Sequence, residues 1–121
     1  MSPKILIIDD DISMRNLLNK LLKRYGYETI LAEDGEEGVA VAKQVHPDLI
    51  ILDVVMPRMD GLTAGRLIKS HEPLRRVPII FLSAAASETD TDAAEETGAE
   101  VYITKPFDVK RLTSVVNDLL A

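Results

Sequence analysis

Four apolar runs in this chain each end on a residue able to handle a phosphoryl group. Lys4–Ile8 leads into Asp9, Asp10 and Asp11, Leu49–Leu52 into Asp53, Ile79–Leu82 into Ser83, and Val101–Thr104 into Lys105-Pro106. Three carboxylates packed together repel one another, so such a group either raises a pKa or binds a cation. Oxygen donors with open positions suit Mg²⁺, with Mn²⁺ as the alternative. Asp10 and Asp53 are the expected direct ligands, the backbone carbonyl of Val55 a third, and Asp9 a partner acting through water. Asp53 ends the most apolar run with a free face toward solvent, where a carboxylate can attack phosphorus and become an aspartyl phosphate. Phosphoryl transfer needs mostly positioning and neutralisation of oxygen charge. Lys105 and a divalent ion would neutralise, while the Ser83 hydroxyl would bond a phosphate oxygen. The added negative charge would then draw Ser83 inward, which makes a switch.

These residues meet only if their runs are neighbouring parallel strands. Short β-branched runs, apolar on both faces, are what buried parallel strands look like, and they alternate here with helical spacing. Met14, Leu17, Leu18, Leu21, Leu22 and Tyr25 form one helical stripe, stopped by Gly26. Tyr27–Leu31 is a less apolar strand suited to an edge. Asp34-Gly35 turns into a helix over Glu36–Val45, closed by His46-Pro47. After the strand Leu49–Leu52 and the loop Asp53–Asp60, Gly61 opens a helix to about His71. Val77–Leu82 and Val101–Thr104 are the last strands. Asp108 caps a final helix with the stripe Leu112, Val115, Val116, Leu119 and Leu120. Between Ser87 and Gly98 lies a helix rich in Asp and Glu that can bury little, so it should be the least stable.

Five strands alternating with five helices give a three-layer α/β sandwich. Strand order 2-1-3-4-5 fits best, because it sets the first and third strands side by side at the switch point. The expected organisation is one domain over residues 1–121. A net charge of −6 argues against direct nucleic-acid binding, which needs a basic face. Absence of cysteine removes disulfides and thiolate chemistry together. No run is long enough to span a bilayer, so the expected location is cytoplasmic, with no membrane partner.

Each residue also has a plain reading. Aspartates at strand ends are often turn residues or helix caps, and that reading is preferred for Asp11, Asp34 and Asp60. His46 and His71 read as surface loop or helix-end residues, not ligands. What favours chemistry is the coincidence of four suitable residues at the ends of strands that should be adjacent.

Taken together, ILIIDDD at Ile5–Asp11, LIILDVVMPRMDG at Leu49–Gly61, IIFLSA at Ile79–Ala84 and YITKPF at Tyr102–Phe107 resemble the receiver domains of bacterial two-component response regulators. The resemblance covers essentially the whole chain and implies their flavodoxin-like fold. It further implies that Asp53 accepts phosphate from a sensor histidine kinase or a histidine phosphotransfer protein. Asp9 and Asp10 match the family's acidic pair, Ser83 its switch hydroxyl and Lys105 its lysine. The Ala84 amide would contact the phosphate, Tyr102 match the aromatic that follows the switch, and Pro106 follow a cis bond. In such domains the face made by the fourth helix, fifth strand and fifth helix docks partners. The signal would leave by contact with a downstream protein or effector domain. The acidic fourth helix opposite Lys110 and Arg111 also suggests a phosphorylation-dependent homodimer.

Val55 and Ala85 depart from several fast-cycling receivers by being apolar, so neither can orient an attacking water. Phosphate loss is therefore expected to be slow, on the order of hours. A receiver is not an enzyme acting on external substrates. The rival reading is an enzyme: Asp9 and Asp11 with Ser13 crudely resemble the nucleophile motif of haloacid-dehalogenase-type phosphatases, in which Asp9 would attack. That chain would be short for the family, with no second acidic motif late in it. A flavodoxin-like cofactor binder fails on charge, since three aspartates would repel a phosphate.

Overall fold

The computed structural model describes residues 2–83 and 101–121. Its strands are β1 (Lys4–Ile8), β2 (Glu28–Ala32), β3 (Leu49–Asp53), β4 (Ile79–Ser83) and β5 (Val101–Thr104). Among the described residues there are four α-helices: α1 (Ile12–Arg24), α2 (Gly35–Val45), α3 (Gly61–Ser70) and α4 (Val109–Leu120). A 3₁₀ turn, Glu72–Leu74, follows α3. The acidic helix expected between Ser87 and Gly98 lies outside the described residues, so α4 is the last of the five expected helices.

All five strands are parallel, in the order β2-β1-β3-β4-β5, as expected from the alternation. Side chains alternate across the sheet and build two cores. Leu6, Ile8, Ile50, Leu52, Ile79 and Phe81 face Ala42, Ala64 and Ile68, the buried side chains of α2 and α3. On the other side, Ile5, Ile7, Leu49, Ile51, Ile80 and Leu82 meet Leu18 and Leu22 of α1 and Leu112 and Val116 of α4. Burying each large aliphatic side chain contributes about 1.5–3 kcal/mol, which is why both faces of the central strands are apolar. β2, at the edge, keeps Glu28 and Leu31 exposed.

Each of these four α-helices starts on an aspartate whose carboxylate accepts a backbone N–H. Asp11 accepts from Ser13, Asp34 from Glu37, Asp60 from Thr63 and Asp108 from Lys110. Those caps satisfy amides that helical bonding leaves over, so the four aspartates serve the fold. At the end of α1, Gly26 adopts φ +89° while the amides of Gly26 and Tyr27 donate to Lys23 and Leu22.

The stripe expected on α1 is corrected at two positions. Leu17 is 49% and Tyr25 52% exposed. Only Leu18 and Leu22, one turn apart, are fully buried under the helix. Leu17 is rotated about 100° from Leu18, and Tyr25 is the C-cap, where the backbone has left the helix. Boundaries elsewhere move by one or two residues, as with β4, which begins at Ile79 rather than Val77. No helix among the described residues is long and apolar enough to cross a membrane.

Candidate functional site

The parallel register aligns the strand ends. Ile8 pairs with Leu52, Asp53 with Leu82, and Ser83 with Thr104, so the residues just past β1, β3 and β5 open onto one rim. Order 2-1-3 makes this the switch point, where chains leaving β1 and β3 diverge to opposite faces and leave a crevice.

Asp9 follows β1 and is held from several sides. Its amide donates to the Ala32 carbonyl at 3.2 Å, and its Oδ1 accepts the Asp11 amide at 2.9 Å. Arg15 Nη1 donates to its backbone carbonyl at 2.8 Å. Arg15 is a positioning residue that sequence reasoning missed. Its one signal is a cation near a helix N-terminus, where the dipole disfavours it unless a local acceptor compensates.

Asp53 is the last residue of β3. Its successor Val54 donates to the Leu82 carbonyl at 2.9 Å, and the Gly61 amide donates back to the Val54 carbonyl at 2.7 Å. Gly61 is required there, because an added Cβ would overlap the Asp53 carbonyl oxygen and lie 2.8 Å from Val54 Cα. Beyond β5, the Lys105 amide donates to the Ser83 carbonyl at 2.5 Å, and the Lys105–Pro106 peptide bond is cis. The Lys105 ammonium reaches back over the rim. It lies 3.3 Å from Asp53 Oδ1 and 3.5 Å from Asp9 Oδ2.

Carboxylate oxygens of Asp9, Asp10 and Asp53 all lie within 4.8 Å of one another. Asp9 and Asp53 are buried, whereas Asp10 is exposed. Burial pushes the Asp53 carboxyl up to about 6, with the Asp9 charge adding to the rise and Lys105 opposing it. Burial likewise raises Asp9, against the pull of the Asp11 amide and Lys105. Carboxylates held this way are undercompensated by a single ammonium, and two net negative charges remain. The donor set is oxygen only, one member is open to solvent, and the deficit equals the charge of a divalent ion, so these residues fit magnesium.

Asp53 needs a correction to its expected surroundings. Instead of a free face it is 6% exposed, with Asp9 from the end of neighbouring β1 on one side and Lys105, reaching across from the end of β5, on the other. Beside the cluster, Asp10, Arg15 and Arg58 help to line a cleft of about 310 Å³. A larger hollow, about 740 Å³, opens at the other pole of the sheet beside Lys4, Glu28 and Asp48, far from this chemistry.

Three of the remaining predicted residues, Ser83, Val55 and Tyr102, are described. Ser83 ends β4 and is 2% exposed. Val55 is 69% exposed, in the loop leaving Asp53. Tyr102 lies on β5 against the core formed by Phe81 and its neighbours, its hydroxyl buried with no partner among the described residues. Ala84 and Ala85 lie outside the described residues.

Fold and rim together define a doubly wound α/β domain with an acid–lysine crevice at its switch point. The chain belongs to the response regulator receiver domain family, whose profile matches residues 5–117. It is 39% identical over 118 residues to the DNA-binding dual master transcriptional regulator RpaA of Synechocystis, covering 98% of this chain and 49% of that one. The chain thus spans about half the length of several curated relatives it matches. Among solved structures, the chemotaxis protein CheY4 of Vibrio cholerae superposes with a TM-score of 0.95 at 31% identity, covering 99% of this chain and 100% of that one. The receiver domain of sensor histidine kinase PA1611 from Pseudomonas aeruginosa, solved with a magnesium ion coordinated in its active site cleft, gives 0.91 at 31% identity, covering 99% and 98%.

Proposed function

We propose that this chain is a phosphoacceptor switch in which Asp53 takes a phosphoryl group from a phosphohistidine of a sensor histidine kinase or a histidine phosphotransfer protein. The observation that carries it is the Lys105 ammonium shared between the buried carboxylates of Asp53 and Asp9, beside Asp10. Asp10, Asp53 and the Val55 carbonyl would hold magnesium, with Asp9 acting through water. When bound, the ion supplies positive charge to the phosphoryl oxygens. Magnesium in the cleft of the PA1611 receiver supports this assignment.

An oxygen of the ionised Asp53 carboxylate forms a bond to phosphorus as the phosphorus–nitrogen bond to the donor histidine breaks, and the leaving imidazole keeps the electron pair. Lys105 is already within 3.3 Å of that carboxylate and stays paired with the developing negative charge. The Ser83 hydroxyl and the Ala84 amide then bond phosphoryl oxygens. Tyr102, next in line on β5, responds to the movement of β4. Its hydroxyl has no hydrogen bond to lose among the described residues. The output passes through the face that includes β5 and α4 to a downstream protein or effector domain.

Incubation with a small phosphodonor and Mg²⁺, followed by intact mass, tests the reading. One phosphoryl group should add to the parent and none to Asp53→Asn. Addition that survives Asp53→Asn but vanishes in Asp9→Asn would overturn it in favour of the phosphatase-like alternative.

A further inference from the structure

The chain has two histidines, and the structure brings them together. Their ring centroids are 6.2 Å apart, with the rings tilted by 43°. His46 is the C-cap of α2 and His71 the C-cap of α3. Each backbone amide closes its own helix, His46 onto Ala42 at 3.0 Å and His71 onto Ile68 at 3.1 Å. Both Cα positions are thereby fixed, while the rings stand at the surface, His46 exposed and His71 half-buried. This is the pole of the sheet opposite Asp53, since helices following parallel strands run back toward the strand N-termini.

We propose that His46 and His71 form a second cation site, one that takes a zinc-class transition metal ion through two imidazole nitrogens. Three observations converge on it. Imidazole is the ligand that suits zinc, copper and nickel, in contrast to the oxygen-only cluster at Asp53. Two imidazoles on one tetrahedral ion, with metal–nitrogen bonds of about 2.0–2.1 Å, have centroids about 5 Å apart. The rings thus need to close by roughly 1 Å, which side-chain rotation provides. Finally, both rings stand at helix C-termini, where the partial negative charge of two packed helices favours a cation. His46 sits in the left-handed region at φ 47°, a position where glycine or asparagine is the usual choice. Water would complete the coordination, giving an open site and not a closed structural one.

The site does not depend on the phosphoacceptor reading and is tested separately. ZnSO₄ is titrated calorimetrically into the full chain in saturating Mg²⁺, with parallel NMR of the histidine ring protons. The expected result is one zinc equivalent that shifts both ring signals together. His46→Asn, which keeps the left-handed backbone, and His71→Gln should each weaken binding at least tenfold and leave phosphorylation unchanged. Asp53→Asn should bind zinc like the parent. Zinc binding that persists in both histidine variants, that disappears in Asp53→Asn, or that is absent from the parent overturns the proposal.

Discussion

The Lys105 ammonium sits 3.3 Å from Oδ1 of Asp53, although 52 residues separate them in the chain. The pair is mostly buried, and the same ammonium also faces Asp9 at 3.5 Å. One cation between two carboxylates leaves the rim short of positive charge, and this imbalance is the source of several measurable effects.

Asp53→Asn should make the metal-free protein more stable at neutral pH. The Asp53 pKa rises from 3.8 to about 6 on folding, so the folded state holds its proton more tightly. The stability associated with that proton is complete below pH 4 and is lost as pH climbs through 6. Parent and variant should match near pH 3.5 and diverge by about 1–3 kcal/mol by pH 7. Urea unfolding at stepped pH in EDTA measures the difference. A variant less stable than the parent at pH 7 contradicts the assignment.

Lys105→Met should tighten magnesium binding while slowing phosphorylation of Asp53. Removing the ammonium takes away its repulsion of an incoming dication, worth roughly 1–2 kcal/mol at this separation and partial burial, or about tenfold in affinity. Calorimetric titration with MgCl₂ reads the change directly, and weaker binding than in the parent would count against a cation site at this rim.

Gly61→Ala should cost about 3 kcal/mol or more, because the new Cβ meets backbone and not a side chain that can rotate away. The loop carrying Val55 would have to shift relative to Asp53, so magnesium affinity should fall in the fraction that still folds. Thermal melting together with the same titration separates the two effects.

Tyr102→Phe should be neutral or stabilising by up to about 1 kcal/mol, since the hydroxyl it removes is buried without a partner among the described residues. A clear loss of stability on chemical unfolding would show that the hydroxyl is bonded in solution.

Phosphate should leave Asp53 slowly, over a time on the order of hours, because the exposed Val55 side chain offers no group to orient an attacking water. Val55→Asn should shorten that lifetime. Release followed on the isolated phosphoprotein checks both statements, and decay of the parent within a minute would refute the first.

Much of this architecture is written locally. The apolar runs, the turn residues behind them and the aspartates ahead of each helix are short-range signals. They determined five strands, their parallel order, and the identity of the residues delivered to the rim. Burial and pairing are properties of distance between remote segments, and those had to come from the folded chain. Composition and spacing left Asp53 open to solvent, where the folded chain buries it and that burial raises its pKa against the opposing pull of Lys105. They offered no reason for Arg15 to grip the Asp9 carbonyl, nor for Leu17 and Tyr25 to stay outside the core. They also kept His46 and His71 apart as unrelated surface residues. Only the packing of α2 against α3 brings those two rings within 6.2 Å of one another, because helix ends that lie far apart along the chain become neighbours through the cores they share.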